Sequence, residues 1–183
     1  MKFDNVSNGI CIIEPIIYCD NRGHFFESYS EEKFNSFYKE RQIKFVQDNE
    51  SLSKKGVLRG LHYQVNPYAQ SKLVRVVDGE ILDIAVDLRV QSPTFGSYFS
   101  YKLSSKNKKQ LFIPQGFAHG FLTLSNSAIV NYKVDKPYSP MHEETIVWND
   151  PYLNIEWGLV NDHIEISPKD AKGKLFKNAQ YFD

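Results

Sequence analysis

Apolar and polar residues alternate with a period of two along much of this chain. In residues 82–88 every second residue is Leu, Ile or Val, and Asp83 and Asp87 lie between them. Because successive side chains of a strand point to opposite faces, this run predicts a strand with its aliphatic residues on one sheet face. Further short strands are predicted over residues 10–17, 72–77, 98–103, 110–113, 120–124 and 128–134.

Turn residues separate these segments, and two helices are predicted at their margins. The turns are predicted at Asp78-Gly79, Ser92-Pro93, Ser125-Asn126 and residues 20–23. Ser30 can cap a helix that opens with two glutamates, and residues 167–170 read Ser-Pro-Lys-Asp, a pattern typical of a helix start. Many short strands with few helices predict an all-β fold, a sandwich or jelly-roll β-barrel with a few short peripheral helices.

The chain has 183 residues, with 22 Lys and Arg against 22 Asp and Glu, so its formal net charge is zero. One domain over residues 1–183 is expected for this length. No global field attracts nucleic acid or an anionic membrane, so neither is expected as a partner. Two cysteines, no signal-peptide pattern and no long apolar run predict a cytoplasmic protein.

Two glycine-rich segments each carry one histidine. Residues 112–120 contain Pro-x-Gly-x-x-His, which ends at His119 and matches the closing half of the two-part cupin metal motif. The first half requires His-x-His followed by glutamate, but this chain has His62, Tyr63 and Gln64 with no acid in residues 65–68. The pattern therefore indicates a cupin-type barrel without a full set of metal ligands, suited to proton transfer.

Several residues are candidates for chemistry, and each has a plainer alternative. His62 is either a base or a core histidine, and Arg59 shares its pocket only if the backbone bends at Gly60, as in a β-bulge. His119 is either a ligand contact or a buried histidine bonded to a carbonyl group. Tyr132 is either a functional residue or a packing residue of the barrel, and Lys72 is either functional or simply exposed to solvent. Asp170 is either functional or the acidic residue of a helix start.

The sequence resembles the dTDP-4-dehydrorhamnose 3,5-epimerase family between about residues 12 and 172. The stretches that carry the resemblance are DNRGHFFES (20–28), FVQDN (45–49), GVLRGLHYQ (56–64), AQSKLVR (69–75), DIAVDLR (83–89), SPTFG (92–96), IPQGFAHG (113–120) and WNDP (148–151). The family pattern differs at His24, Gln115 and Gly158, and none of these is a proposed catalytic position.

This resemblance implies an enzyme without metal or other cofactor that inverts C3 and C5 of a dTDP-linked 4-keto-6-deoxyhexose. The product would be dTDP-4-dehydro-β-L-rhamnose, on the route to dTDP-L-rhamnose. The resemblance makes His62 the base, Asp170 its orienting carboxylate, Lys72 the cation near the enolate oxygen and Tyr132 the acid on the opposite face.

The resemblance also implies a homodimer and a set of substrate-binding residues. Arg22, Arg59 and Lys169 match residues on or near the diphosphate, and Tyr138 matches the residue stacked on thymine. The other matched ligand contacts are Glu27, Gln47, Asp48, Asn49, His119 and Glu143.

Four alternatives stay open at the level of sequence. A mono-epimerase acting at C3 or C5, on this or another nucleotide-linked keto sugar, would carry the same catalytic residues. A 3,4-ketoisomerase is disfavoured by the match across Tyr132 and Asp170. A metal-dependent oxygenase is opposed by Gln64 in place of the second histidine, and a non-catalytic sugar-binding barrel would bind without proton exchange.

Overall fold

The computed structural model describes residues 1–39, 41–158 and 164–183. Strands dominate these residues, with one α-helix, α1 (Glu31–Phe37), and short 3₁₀ turns at Pro140–His142, Asp170–Lys172 and Phe176–Asn178. The strands are β1 (Lys2–Ser7), β2 (Ile10–Glu14), β3 (Tyr18–Asp20), β4 (Gly23–Phe25), β5 (Gln47–Lys54), β6 (Leu58–Gln64), β7 (Lys72–Asp78), β8 (Glu80–Asp87), β9 (Tyr98–Ser104), β10 (Gln110–Ile113), β11 (Phe117–Thr123), β12 (Ser127–Val134) and β13 (Glu143–Thr145).

Two antiparallel sheets form the body of the protein. One has the order β1-β2-β10-β7-β12-β5 and the other β13-β6-β11-β8-β9, while β3 and β4 form a separate hairpin. An apolar core that includes Val74 and Val130 from the first sheet and Ile81 and Phe121 from the second lies between them. This arrangement confirms the all-β, cupin-type jelly roll.

The outer faces of both sheets are covered in part. Trp157 and Phe176, from the C-terminal part of the chain, pack with Leu58 and Val86 of the second sheet. On the first sheet, α1 contributes Phe34 to a cluster that contains other aromatic and aliphatic residues. Central strands such as β8 and β11 are therefore buried on both faces.

Most predicted elements are present with adjusted ends. The strand predicted over residues 10–17 ends at Glu14, because Pro15 has no N–H with which to continue the ladder. Helix α1 begins after Ser30 as predicted, and the Ser30 hydroxyl accepts a hydrogen bond from the Lys33 N–H. The helix start predicted at residues 167–170 is a single 3₁₀ turn at Asp170–Lys172.

The alternation in β8 is confirmed, but both of its faces are buried. Leu82, Ile84 and Val86 pack on the outer cluster, whereas Ile81 and Ala85 belong to the core between the sheets. No helix in the described part of the chain is long and apolar enough to cross a membrane. The assignment of residues 1–183 to one domain stays a prediction.

Candidate active site

A polar cleft opens at one end of the sandwich, between the two sheets. It consists of two adjoining cavities of about 310 and 260 Å³ that share His62, Lys72, Tyr132, Tyr138 and Glu143. His62 lies on β6 of the second sheet, whereas Lys72 and Tyr132 lie on β7 and β12 of the first. The other residues that line the cavities are Gln47, Asn49, Ser51, Arg59, Tyr63, Gln64, Gln70, His119, Gly120 and Phe121.

A bulge in β6 brings Arg59 and His62 to the same cleft. His62 pairs with His119 and Arg59 with Phe121, so three residue steps on β6 match two on β11. Beyond this extra residue, each side chain of β6 points to the sheet face opposite to the one that regular alternation would give it. Gly60 has φ +115°, and a Cβ atom there would lie 2.5 Å from the Gly120 Cα atom. The bend at Gly60 on which a pocket shared by Arg59 and His62 depended is therefore present.

His62 forms a hydrogen-bonded pair with Asp170. The His62 Nε2 atom lies 2.7 Å from Asp170 Oδ1, and the Gly60 N–H donates to Asp170 Oδ2 at 3.2 Å. The Ser167 hydroxyl accepts from the Asp170 N–H, which holds the carboxylate-bearing turn in place. Burial favours the neutral form of Asp170, but its hydrogen bonds outweigh burial and lower its pKa. An ionised Asp170 therefore accepts a hydrogen bond from the His62 ring and fixes the orientation of that ring.

Lys72 and His119 supply further donors on the wall of the cleft. Burial lowers the pKa of Lys72 to about 8, although the charges of Asp83 and Glu143 oppose this shift. The Lys72 ammonium group donates to the His62 carbonyl oxygen at 3.3 Å. His119 Nε2 lies 2.9 Å from Asp83 Oδ1, and burial lowers the pKa of His119. His119 is therefore neutral near pH 7.

Tyr132 faces the cleft from the sheet opposite His62. Its side chain packs against the core between the sheets, and its hydroxyl makes no hydrogen bond with the described part of the chain. Burial raises the pKa of Tyr132, which the nearby Arg59 opposes. The phenol therefore keeps its proton at neutral pH and can donate it.

At the rim of the cleft, Glu143 joins Tyr138 and Lys169. The Tyr138 hydroxyl donates to Glu143 Oε2 at 2.6 Å, and the Lys169 ammonium group donates to the same oxygen. Burial favours the neutral form of Glu143, but these two hydrogen bonds outweigh it and lower its pKa. Tyr138 is 51% exposed, so its side chain is accessible to a ligand in the cleft.

Three residues predicted to bind substrate do not lie in this cleft. Asp48 alternates with Gln47 and Asn49 on β5, so it faces outward and its carboxylate accepts from Lys133 at 2.6 Å. Arg22 contacts Asp20 on the exposed β3–β4 hairpin, and Glu27 accepts from Lys33. Successive side chains of β5 point to opposite faces of the sheet, which explains why Asp48 faces away from the cleft that Gln47 and Asn49 line.

The structure adds residues that the sequence did not single out. Ser51 and Ser53 follow Gln47 and Asn49 on the inward face of β5, where a run of polar residues at every second position was the available signal. Asp83 appeared in the sequence as one polar residue of the alternation in β8, and its pairing with His119 was not predicted. The described residues contain no group of three or more His, Cys, Asp or Glu side chains that could hold a metal ion.

The fold and the cleft together define a class of protein. The cleft pairs a histidine of one sheet with the buried carboxylate of a 3₁₀ turn, and a protonated tyrosine and a lysine lie on the other sheet. Such an arrangement can remove a proton, stabilise the resulting oxyanion and return a proton from another direction. The protein is a jelly-roll barrel built for proton transfer on a bound ligand.

Comparison with known proteins assigns the family. The family model described as dTDP-4-dehydrorhamnose 3,5-epimerase matches residues 6–178. The enzyme of that name from Shigella flexneri is 51% identical over 94% of each chain. The chain belongs to the dTDP-4-dehydrorhamnose 3,5-epimerase family of enzymes.

Solved structures agree with this family assignment, and they include both an epimerase and a monoepimerase. An epimerase from Legionella pneumophila, in complex with dTDP-4-keto-L-rhamnose, has a TM-score of 0.93 at 46% identity, over 98% of this chain and 94% of that one. A 3′-monoepimerase from Streptomyces bikiniensis has a TM-score of 0.84 at 30% identity, over 91% of this chain and 83% of that one.

Proposed function

We propose that this chain converts dTDP-4-dehydro-6-deoxy-D-glucose to dTDP-4-dehydro-L-rhamnose by inverting C3 and C5. The observation that carries the proposal is the 2.7 Å His62–Asp170 pair, which faces a protonated Tyr132 across the cleft. Family membership at about half identity to a named 3,5-epimerase supports the same reaction.

The reaction needs a base, an oxyanion partner and an acid, and the cleft offers one of each. Protons next to a ketone are weakly acidic, so His62 removes one while negative charge develops on the C4 oxygen. Lys72, protonated below its pKa of about 8, stabilises that charge. Tyr132 then returns a proton to the opposite face of the carbon, which inverts the centre.

The nucleotide part of the substrate has its own partners at the rim. Arg59 lies within the cleft and Lys169 beside Glu143, so both are available to the diphosphate. The exposed ring of Tyr138 can stack on thymine. Glu143 cannot pair directly with phosphate, and we assign it to a hydroxyl or ring N–H of the ligand.

The working form in this proposal is a homodimer. The β3–β4 hairpin exposes Tyr18 at 62% and Phe25 at 71%, and Ile16 just before it at 58%. Apolar side chains on this scale mark a surface suited to a second copy of the chain. Pairing of two copies through this surface would let Arg22 and Glu27 contribute to the cleft of the other subunit, although neither lies in the cleft of its own chain.

Deuterium exchange tests the proposed reaction and distinguishes a 3,5-epimerase from a mono-epimerase. The protein is incubated with dTDP-4-keto-6-deoxyglucose in D₂O, and label is followed by NMR. Entry at both C3 and C5 is expected, whereas entry at one centre only indicates a mono-epimerase such as the one from S. bikiniensis. Exchange no faster than in a protein-free blank contradicts the proposed function.

Substitution of the base and the acid tests the assigned roles. We expect His62→Ala to lower kcat by about 10³-fold or more and Tyr132→Phe to lower it less, because base removal stops the first step. Circular dichroism and thermal unfolding check that each variant is folded. Asp48→Ala, on the outer face of β5, is the matched control and should retain turnover. A His62→Ala variant with near-normal kcat would refute the base assignment.

A further inference from the structure

The part of the chain that carries Tyr138 crosses from one sheet to the other at the rim of the cleft. It follows β12 of the first sheet and leads to β13 of the second. Its residues 136–139, here called the rim segment, lie outside any helix or strand. The backbone N–H and C=O groups of such a segment have no partners in a sheet ladder, so other groups must hold them in place.

Gln64 holds the rim segment at two points. Its side-chain NH₂ group donates to the Pro137 carbonyl oxygen at 3.2 Å and to the Tyr68 carbonyl oxygen at 2.8 Å. Its side-chain oxygen accepts a hydrogen bond from the Ser139 N–H at 2.6 Å. A carboxamide can donate and accept at once, which neither a carboxylate nor an aliphatic side chain can do. Gln64, at the position of the second histidine in the cupin metal motif, therefore links separate parts of the backbone.

Two more glutamines hold the same segment. The Gln70 side chain donates to the Lys136 carbonyl oxygen at 2.7 Å, and Gln47 Oε1 accepts from the Tyr138 N–H at 3.0 Å. Gln47 lies on β5 of the first sheet and Gln64 on β6 of the second, so both sheets anchor the segment. All three glutamines line the same cavity as Tyr138.

The far end of the Tyr138 side chain is also held. Its hydroxyl donates to Glu143 Oε2 at 2.6 Å, and the residue nevertheless remains 51% exposed. The ring is therefore fixed by contacts with the protein and is still accessible to a ligand. A binding group that already has its bound position loses little conformational entropy when the ligand arrives.

We propose that Gln47, Gln64 and Gln70 are positioning residues that hold Tyr138 in place for the nucleobase of the substrate. This inference rests on the proposed function, in which Tyr138 stacks on thymine, and adds positioning residues to that contact. Gln64 is the central member, because it holds the rim segment on both sides of Tyr138. Gln64 is 3% exposed and its amide is engaged by backbone groups, so it acts through Tyr138 and not on the ligand.

A double-mutant cycle in dTDP binding tests this role. Titration calorimetry compares the unmodified protein, Gln64→Met, Tyr138→Ala and the double variant. Gln64→Met should weaken dTDP binding by about 3- to 10-fold, the range of one aromatic stacking contact. In the Tyr138→Ala background the same change should cost less than about twofold, because the ring that it positions is gone. Additive losses, or no loss in Gln64→Met, would overturn the proposal.

Asn35→Leu is the matched control. The Asn35 carboxamide donates to the Ile43 carbonyl oxygen at 3.0 Å and accepts from the Ile43 N–H at 2.7 Å, so it also holds a backbone segment through both of its groups. Asn35 lines neither cavity of the cleft. Its variant should be less stable but bind dTDP normally. A loss of affinity equal to that of Gln64→Met would overturn the proposal, because it would show that loosening any segment weakens binding.

Steady-state kinetics give a second readout. Gln64→Met should raise KM by a factor similar to its loss of dTDP affinity and change kcat little, since the base is bound alike in the ground state and the transition state. A loss confined to kcat would contradict a role through Tyr138. Gln70→Met, a change at a partly exposed side chain, carries the same tests if Gln64→Met does not fold. Failure of the proposed function is distinguishable, since deuterium exchange into the sugar uses the unmodified protein.

Discussion

Lys72 shows how single residues set the chemistry of the cleft. Burial lowers its pKa to about 8, and the charges of Asp83 and Glu143 keep it from falling further. The cationic form is the one that stabilises an oxyanion, and it predominates below that pKa. We therefore expect kcat/KM to fall as pH rises through about 8, which a pH profile of the free enzyme measures.

The charge of Asp83 favours the protonated form of Lys72, and a substitution can check this role. Asp83→Asn removes the largest influence that favours protonated Lys72, so the pKa of Lys72 should fall and the alkaline limb should move to lower pH. Asp78→Asn, at the exposed end of β7, is the matched control and should leave the profile unchanged. An alkaline limb that stays in place in Asp83→Asn would mean that another group titrates there.

At the scale of elements, the bulge in β6 determines what the cleft contains. Gly60 adopts φ +115° with no room for a Cβ atom, whereas Gly23 in the β3–β4 hairpin adopts φ +129° with open space around it. Gly23→Ala should cost about 1–2 kcal/mol, the penalty for a positive φ alone. Gly60→Ala should lower the free energy of unfolding by more, because backbone atoms of β11 must also move.

Urea unfolding of the two glycine variants measures this difference. We expect the Gly60→Ala variant to lose activity together with stability, since the bulge aligns Arg59 and His62. Equal stability losses in the two variants would show that the close approach of β6 to β11 contributes nothing beyond the backbone angle.

At the scale of the whole molecule, a homodimer with shared sites makes a quantitative prediction. In the proposed dimer, Arg22→Ala would remove a residue supplied to the partner, and His62→Ala would inactivate the subunit's own cleft. Co-folding equal amounts of the two weakened variants gives about half mixed dimers, each with one intact site of two. About a quarter of normal activity should therefore return.

Differently tagged copies allow the mixed dimers to be isolated and assayed. Activity in the mixture equal to the mean of the two variants would show that each cleft is complete within one chain. Size-exclusion chromatography with light scattering gives the oligomeric state independently of activity.

Local patterns predicted much of the fold. The alternation in β8, the Ser30 cap of α1 and the turn at Asp78-Gly79 each depend on a few adjacent residues, and each is present. The ends of strands were harder to predict. β2 stops at Glu14 because of the proline that follows, and β11 begins at Phe117, before the position that its apolar pattern suggested.

The sequence predicted some residues of the candidate site and not others, because local patterns do not show which strand face lines the cleft. Gly60 was recognised as a point where β6 could bend, because glycine inside a strand often marks a bulge or a close approach. Asp48 was grouped with Gln47 and Asn49 by adjacency, although alternation within β5 turns it away from the cleft. Ser51 was missed because a single serine carries no chemical signal until its surroundings are known.

The sequence by itself determined the all-β class, the period of the strands and the family resemblance, since these are properties of neighbouring residues. Tertiary structure decided which face of each strand points inward and which residues meet. Asp170 lies 108 residues from His62, yet the two are hydrogen-bonded. Only the packing and register of two sheets fix such a contact, because its geometry depends on every strand between them.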